Sequence, residues 1–121
     1  MSGELVLIVE DEDKIAGVLT DYLTASGLRT HRIAHGKHVV DWVQMNRPSA
    51  VLLDAMLPGR NGFDICRDIR AGSSIPIMMI TARSDEEDRL AGFELGADDY
   101  ICKPFSPREV AARAQDRKSV V

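Results

Sequence analysis

The sequence has little of what marks a secreted, membrane-spanning or nucleic-acid-binding chain. It has two cysteines in 121 residues. Cys66 and Cys102 form no CxxC pair, so neither a disulfide framework nor a zinc site is expected. Two small buried hydrophobes in a reducing cytosol suit them better. Aromatic residues make up 5% and tryptophan occurs once, which leaves the core to aliphatic side chains. No apolar run reaches the eighteen or so residues of a spanning helix. Met1-Ser2-Gly3-Glu4 lacks the basic start of a signal peptide, so a cytoplasmic, soluble protein is expected. Basic residues are not in excess either: 15 Lys and Arg stand against 19 Asp and Glu, a net charge of −4, shared evenly between the two halves. No basic face emerges, so direct binding of nucleic acid by this chain is not expected.

What is present fits one globular domain. Apolar residues make up 45% and charged residues 28%. A chain of this length buries roughly two-thirds of its unfolded surface, enough for a core without staples. Three short apolar runs stand out: Leu5 to Val9, Ala50 to Leu53, and Ile75 to Ile80. None alternates with polar residues, as expected for parallel strands covered on both faces. Two poorer candidates, Arg29 to Ala34 and Tyr100 to Cys102, suit edge strands.

Helical patterns lie between them. Ile15, Val18, Leu19, Tyr22 and Leu23 form one stripe, with Gly27 as its stop. Val39, Val40 and Val43 form a second, and Ile65, Cys66 and Ile69 a third. Ser84 with Glu87 reads as a capping box opening a fourth helix that Gly96 closes. Ser106-Pro107-Arg108-Glu109 opens a fifth. The fifth has only Val110 and alanines as apolar residues and a poor tail over Lys118 to Val121, so it is expected to be short or frayed. The alternation predicts an α/β three-layer (βα)5 sandwich with right-handed crossovers. Placing the oily strands centrally gives a five-stranded parallel sheet of order 2-1-3-4-5, the flavodoxin-like order.

Each oily strand hands over to a polar residue. Val9 is followed by Glu10-Asp11-Glu12-Asp13, Leu53 by Asp54, Ile80 by Thr81, and Cys102 by Lys103. In a parallel sheet these ends share one rim, where ligands bind. Clustered carboxylates repel one another unless a cation sits among them. Hard oxygen ligands on a rigid rim suit Mg²⁺. A lone lysine suits a phosphoryl oxygen, and a carboxylate can be phosphorylated. Taken singly, each has a plainer role: acids at a helix start complement its dipole, Asp54 could be a turn residue, and Lys103 could be solvated. Together they point to Mg²⁺-assisted phosphoryl transfer to a carboxylate, with catalysis by positioning and charge neutralisation.

Val9-Glu10-Asp11-Glu12, the stretch from Leu52 to Gly59, Ile80-Thr81-Ala82-Arg83 and the stretch from Gly96 to Phe105 resemble the receiver domain of two-component response regulators. The stretches Met56 to Gly62 and Lys103 to Glu109 are similar to the OmpR/PhoB subfamily. The resemblance implies one receiver domain over residues 1–121, without the DNA-binding domain that OmpR/PhoB proteins carry. It implies a signalling switch, not a turnover enzyme. Asp54 would accept the phosphoryl group from a sensor histidine kinase. Asp11, Asp54 and the backbone carbonyl of Met56 would hold Mg²⁺, with Glu10 acting through water. Lys103, joined to Pro104 by a cis bond, would contact the phosphoryl oxygens. Thr81 and Tyr100 would be the switch pair. A homodimer would form on the fourth helix, fifth strand and fifth helix through Arg89, Asp99, Glu109 and Arg113. A further pair from Asp98 would lack its basic partner, since Gln115 stands there.

Two rival readings are weaker. A phosphohydrolase of the haloacid-dehalogenase kind needs an acid two residues after its nucleophile, and that position is Met56. A flavodoxin-like cofactor binder needs a phosphate-cradling loop after the first strand, where this chain has four acids. His31, His35 and His38 lie near an edge strand, away from the rim, and are not expected to form a metal site.

Overall fold

The computed structural model of the chain describes residues 4–119, the last three by backbone alone. Five strands alternate with five helices: β1 Leu5–Val9, α1 Asp13–Ala25, β2 Arg29–Ile33, α2 Val39–Asn46, β3 Ala50–Leu53, α3 Gly62–Gly72, β4 Ile77–Thr81, α4 Glu86–Glu94, β5 Asp99–Cys102 and α5 Pro107–Ser119. All pairings are parallel, and the sheet order is β2-β1-β3-β4-β5. β1, β3 and β4 are central and almost wholly buried. The polar β2 and short β5 form the edges. Aliphatic content sorts the strands this way because a central parallel strand presents both faces to helices.

The sheet separates two apolar layers. On one face Leu7, Val9, Val51, Leu53, Ile77 and Met79 meet α2 and α3 through Val39, Val43, Ile65, Cys66 and Ile69. On the other, Val6, Ile8, Leu52, Met78 and Ile80 meet α1 and α5 through Leu19, Leu23, Val110, Ala111 and Ala114. Small residues suffice on α5, so the expectation of a short fifth helix is corrected: it runs thirteen residues. Ser106 caps it by accepting the Glu109 N–H at 3.3 Å. The predicted fraying falls partly on Val120 and Val121, outside the described residues.

Two further features, one boundary and one helix face, differ from expectation. Ser84 does not cap α4. The helix begins after Asp85, with Glu86, Glu87 and Asp88 in its first turn, where acids complement the dipole. On α1 it is Ala16 that joins Leu19 and Leu23 in the core, while Tyr22 is 42% exposed. α4 contributes only Gly92 to the buried set, and its Leu90 and Phe93 stand exposed. Gly27 and Gly96 end α1 and α4 with φ of 88° and 109°, conformations that glycine adopts without steric cost.

Candidate functional site

Burial of β1 and β3 to their last residues brings Glu10 and Asp54 to the carboxyl rim almost without solvent. Glu10 is 2% exposed and Asp54 5%. β3 is held there by its neighbours: the Asp54 N–H donates to the Val9 carbonyl at 3.0 Å. The start of α3 leans directly on the same turn, because the Gly62 N–H donates to the Ala55 carbonyl at 2.9 Å. A Cβ at Gly62 would lie 2.2 Å from the Asp54 carbonyl oxygen, so only glycine fits.

Glu10, Glu12 and Asp54 each place a carboxylate oxygen within 4.8 Å of the others. Lys103, from the end of β5, enters the group. Its Nζ lies 2.9 Å from Asp54 Oδ2, 3.0 Å from Glu10 Oε1 and 3.1 Å from Glu12 Oε2. The other Asp54 oxygen accepts the Met56 N–H at 2.9 Å. One ammonium thus faces three carboxylates, two of them buried. Burial pushes the Glu10 carboxyl above its ordinary value, and the bond from Lys103 only partly offsets this. Burial would lower the Lys103 ammonium, but hydrogen bonds to Asp54 and Glu10 outweigh it and hold it charged beyond its usual range. The bond from Lys103 to Pro104 is cis, as expected.

The remaining sequence-predicted residues fall around this centre. Thr81, fully buried at the end of β4, accepts the Arg83 N–H on Oγ1 at 3.2 Å. Tyr100 is 5% exposed and donates its hydroxyl to the Arg83 carbonyl at 2.6 Å. Met56 is 60% exposed at the lip. Asp11 is exposed and stands outside the three-carboxylate group. It borders a depression shared with Met56, Arg60, Asn61 and Arg83. Glu12, to which the sequence assigned no role, is a member of the group; its place in the acidic run was the available signal.

On the α4-β5-α5 face, Arg89 is exposed. Arg113 meets Asp99 at 2.7 Å and Glu109 at 3.5 Å within the same chain. Asp98 points elsewhere: it meets Arg70 at 2.8 Å and accepts the Ile77 N–H at 2.8 Å. Of the histidines, His31 stacks on Trp42 with ring centroids 4.5 Å apart. His35 accepts the Lys37 N–H.

The fold and the rim define a flavodoxin-like α/β domain with an acidic centre closed by one lysine. Residues 6–115 match the family model of the response regulator receiver domain, and the chain belongs to that family. It is 54% identical over 110 residues to the transcriptional regulatory protein BaeR of Escherichia coli O6:H1, covering 91% of this chain and 46% of that one. The chain thus spans about half the length of that relative. The BeF3-activated N-terminal receiver domain of Klebsiella pneumoniae RstA superposes with a TM-score of 0.89 at 29% identity, covering 95% of this chain and 98% of that one. The receiver domain of the sensor histidine kinase PA1611 from Pseudomonas aeruginosa PAO1, with a magnesium ion coordinated in its active-site cleft, superposes at 0.87 and 31% identity, covering 97% and 98%. The similarity to BaeR agrees with the OmpR/PhoB likeness of the motifs.

Proposed function

We propose that Asp54 is the phosphoryl acceptor and that a sensor histidine kinase is the donor. A carboxylate oxygen of Asp54 attacks phosphorus, the bond from phosphorus to the donor's imidazole nitrogen breaks, and the imidazole leaves with the bonding pair and takes up a proton. The observation that carries this reading is the convergence of Lys103 on Asp54, Glu10 and Glu12. The ammonium is placed to meet a phosphoryl oxygen on Asp54, and charge neutralisation is what phosphoryl transfer asks of a protein.

The donor set fits Mg²⁺: hard carboxylate oxygens, too many for one ammonium to neutralise. Asp11, Asp54 and the Met56 carbonyl would hold the ion, with Glu10 acting through water. When bound, it neutralises charge on the phosphoryl oxygens. Lys103, reaching in from the end of β5, ties Glu12 of the β1–α1 loop to the cluster.

The output follows from Thr81 and Tyr100, which both hold the backbone of residue 83. A Thr81 hydroxyl that turns to the phosphoryl group releases the Arg83 N–H, and the change is passed to α4. Dimerisation on α4, β5 and α5 would use Arg89, Asp99, Glu109 and Arg113. Since Arg113 already serves Asp99 and Glu109 within the chain, ion pairs across the interface would exchange for internal ones. Control of transcription would belong to a longer protein carrying a DNA-binding domain.

Incubation with acetyl phosphate and Mg²⁺, followed by intact mass, tests the acceptor. One phosphoryl group is expected, lost in Asp54→Asn. Undiminished labelling of that variant overturns the assignment.

A further inference from the structure

Four consecutive acids repel one another, and a loop carrying them would spread unless held. The structure divides them. Lys103 takes Glu10 and Glu12. Asp13 is drawn the other way by Arg32, near the end of β2, whose Nη1 lies 2.9 Å from Asp13 Oδ1. The same guanidinium donates from Nε to the Glu10 carbonyl at 2.8 Å. The neighbouring Ile33 carbonyl accepts the Glu10 N–H at 3.1 Å. The Glu10 residue is thus gripped by β2 at both backbone polar groups. Asp11 is left exposed at the lip of the depression beside Met56. Arg32 Nη2 is buried without a hydrogen-bond partner among the described residues, so the guanidinium holds this position with one donor unsatisfied.

We infer that Arg32 is a positioning residue for the metal site. It fixes the Glu10 backbone and pulls Asp13 off the rim, which leaves Asp11 as the acid presented to a divalent cation. Arg32 thereby sets the affinity for Mg²⁺. This deepens the metal reading above and rests on it. A lysine would keep the charge, but it cannot span Asp13 and the Glu10 carbonyl as a forked guanidinium does. A role through charge alone and a role through geometry therefore make opposite statements about Arg32→Lys.

Calorimetric titration of the chain with MgCl₂ separates them, alongside the metal-free thermal midpoint of each variant. Arg32→Lys and Arg32→Gln are both expected to weaken Mg²⁺ binding by about tenfold, the order seen when supports behind metal ligands are removed. Asp13→Asn, which keeps the Nε bond to Glu10, is expected to weaken it less. Arg32→Lys also removes the unpaired Nη2, so its metal-free midpoint is expected to stay close to that of the parent. Wild-type affinity in Arg32→Lys, or tighter binding in Arg32→Gln, overturns the positioning role alone. A parent chain that takes up no Mg²⁺ overturns the metal reading and this inference with it.

Discussion

The Tyr100 hydroxyl donates to the Arg83 carbonyl at 2.6 Å, while Thr81 Oγ1 accepts the N–H of the same residue at 3.2 Å. β4 and β5 thus hold the backbone of one residue from both sides, and Arg83 extends the contact to α4 through Asp88 at 2.8 Å. Burial pushes the Tyr100 phenol from its ordinary 10 up to about 12, with Asp88 adding to the shift. A raised acid favours the neutral form in the fold, so its stabilisation is complete below pH 10 and is lost as pH rises through 12. In a Tyr22→Phe background, where absorbance near 295 nm reports Tyr100 alone, ionisation is expected about two units late. In Tyr100→Phe this alkaline loss disappears, while the Arg83 carbonyl left without its donor costs about 1 kcal/mol at neutral pH. Titration of Tyr100 at its ordinary value would contradict the inward ring.

Two glycines inside helices should respond oppositely to alanine. Around Gly17 on α1, an added Cβ meets nothing within 4 Å. Gly17→Ala is expected to stabilise the domain by ~0.5–1 kcal/mol, the ordinary helix gain. At Gly92 on α4, a Cβ would lie 2.9 Å from Tyr100 Cδ2 and 3.1 Å from Cε2. The ring must give way, so Gly92→Ala loses the helix gain and moves Tyr100 outward. Its phenol should then titrate earlier, with labelling of Asp54 by acetyl phosphate unaffected. In Tyr100→Ala the clash is gone, and Gly92→Ala should stabilise as Gly17→Ala does.

These contacts also show what a linear sequence conveys and what it leaves out. Strand order was legible because aliphatic content ranks β1, β3 and β4 above β2 and β5, and a parallel sheet buries its centre. The rim residues were legible because each follows a strand directly. The start of α4 was not, because the backbone of Arg83 is held by Thr81 and Tyr100, nineteen positions apart in the chain, and no local pattern encodes that. Glu12 escaped notice for a similar reason. Its role depends on Lys103 reaching it from the last strand. The length of α5 was misjudged because alanine counts little in a hydrophobic pattern yet packs closely against α1 and the sheet.

Among the described residues, Lys103 is the one cation on the three converging carboxylates, 14% exposed at its side chain. Removing one partner of a buried ionic group leaves charge without compensation. Lys103→Met is expected to destabilise the metal-free domain by ~2–4 kcal/mol at neutral pH. The loss should shrink when Mg²⁺ is added and when the pH is lowered toward the carboxyl range. Urea denaturation at neutral pH, with and without MgCl₂, measures both effects. A loss that ignores both metal and pH would mean that Lys103 contributes packing alone.

The Glu10 carboxyl, nearly wholly buried and raised above its ordinary 4.5, should make the metal-free domain less stable as it ionises. The folded state holds this proton more tightly than the unfolded chain does. Its contribution is therefore complete below pH 4.5 and is lost as pH rises through the elevated folded value. Glu10→Gln keeps the shape and removes the charge, so its advantage over the parent should be absent in acid and grow toward neutrality. The midpoint should rise by a few degrees, since 1 kcal/mol moves it by roughly 3–5 °C in a domain of this size. Saturating Mg²⁺ should reverse the ranking, because the parent then gains a cation that the amide holds less well. Thermal melts across pH 4 to 8, with and without metal, read both signs. An advantage of Glu10→Gln that is constant across that range would show that burial of the charged form is not what the fold is working against.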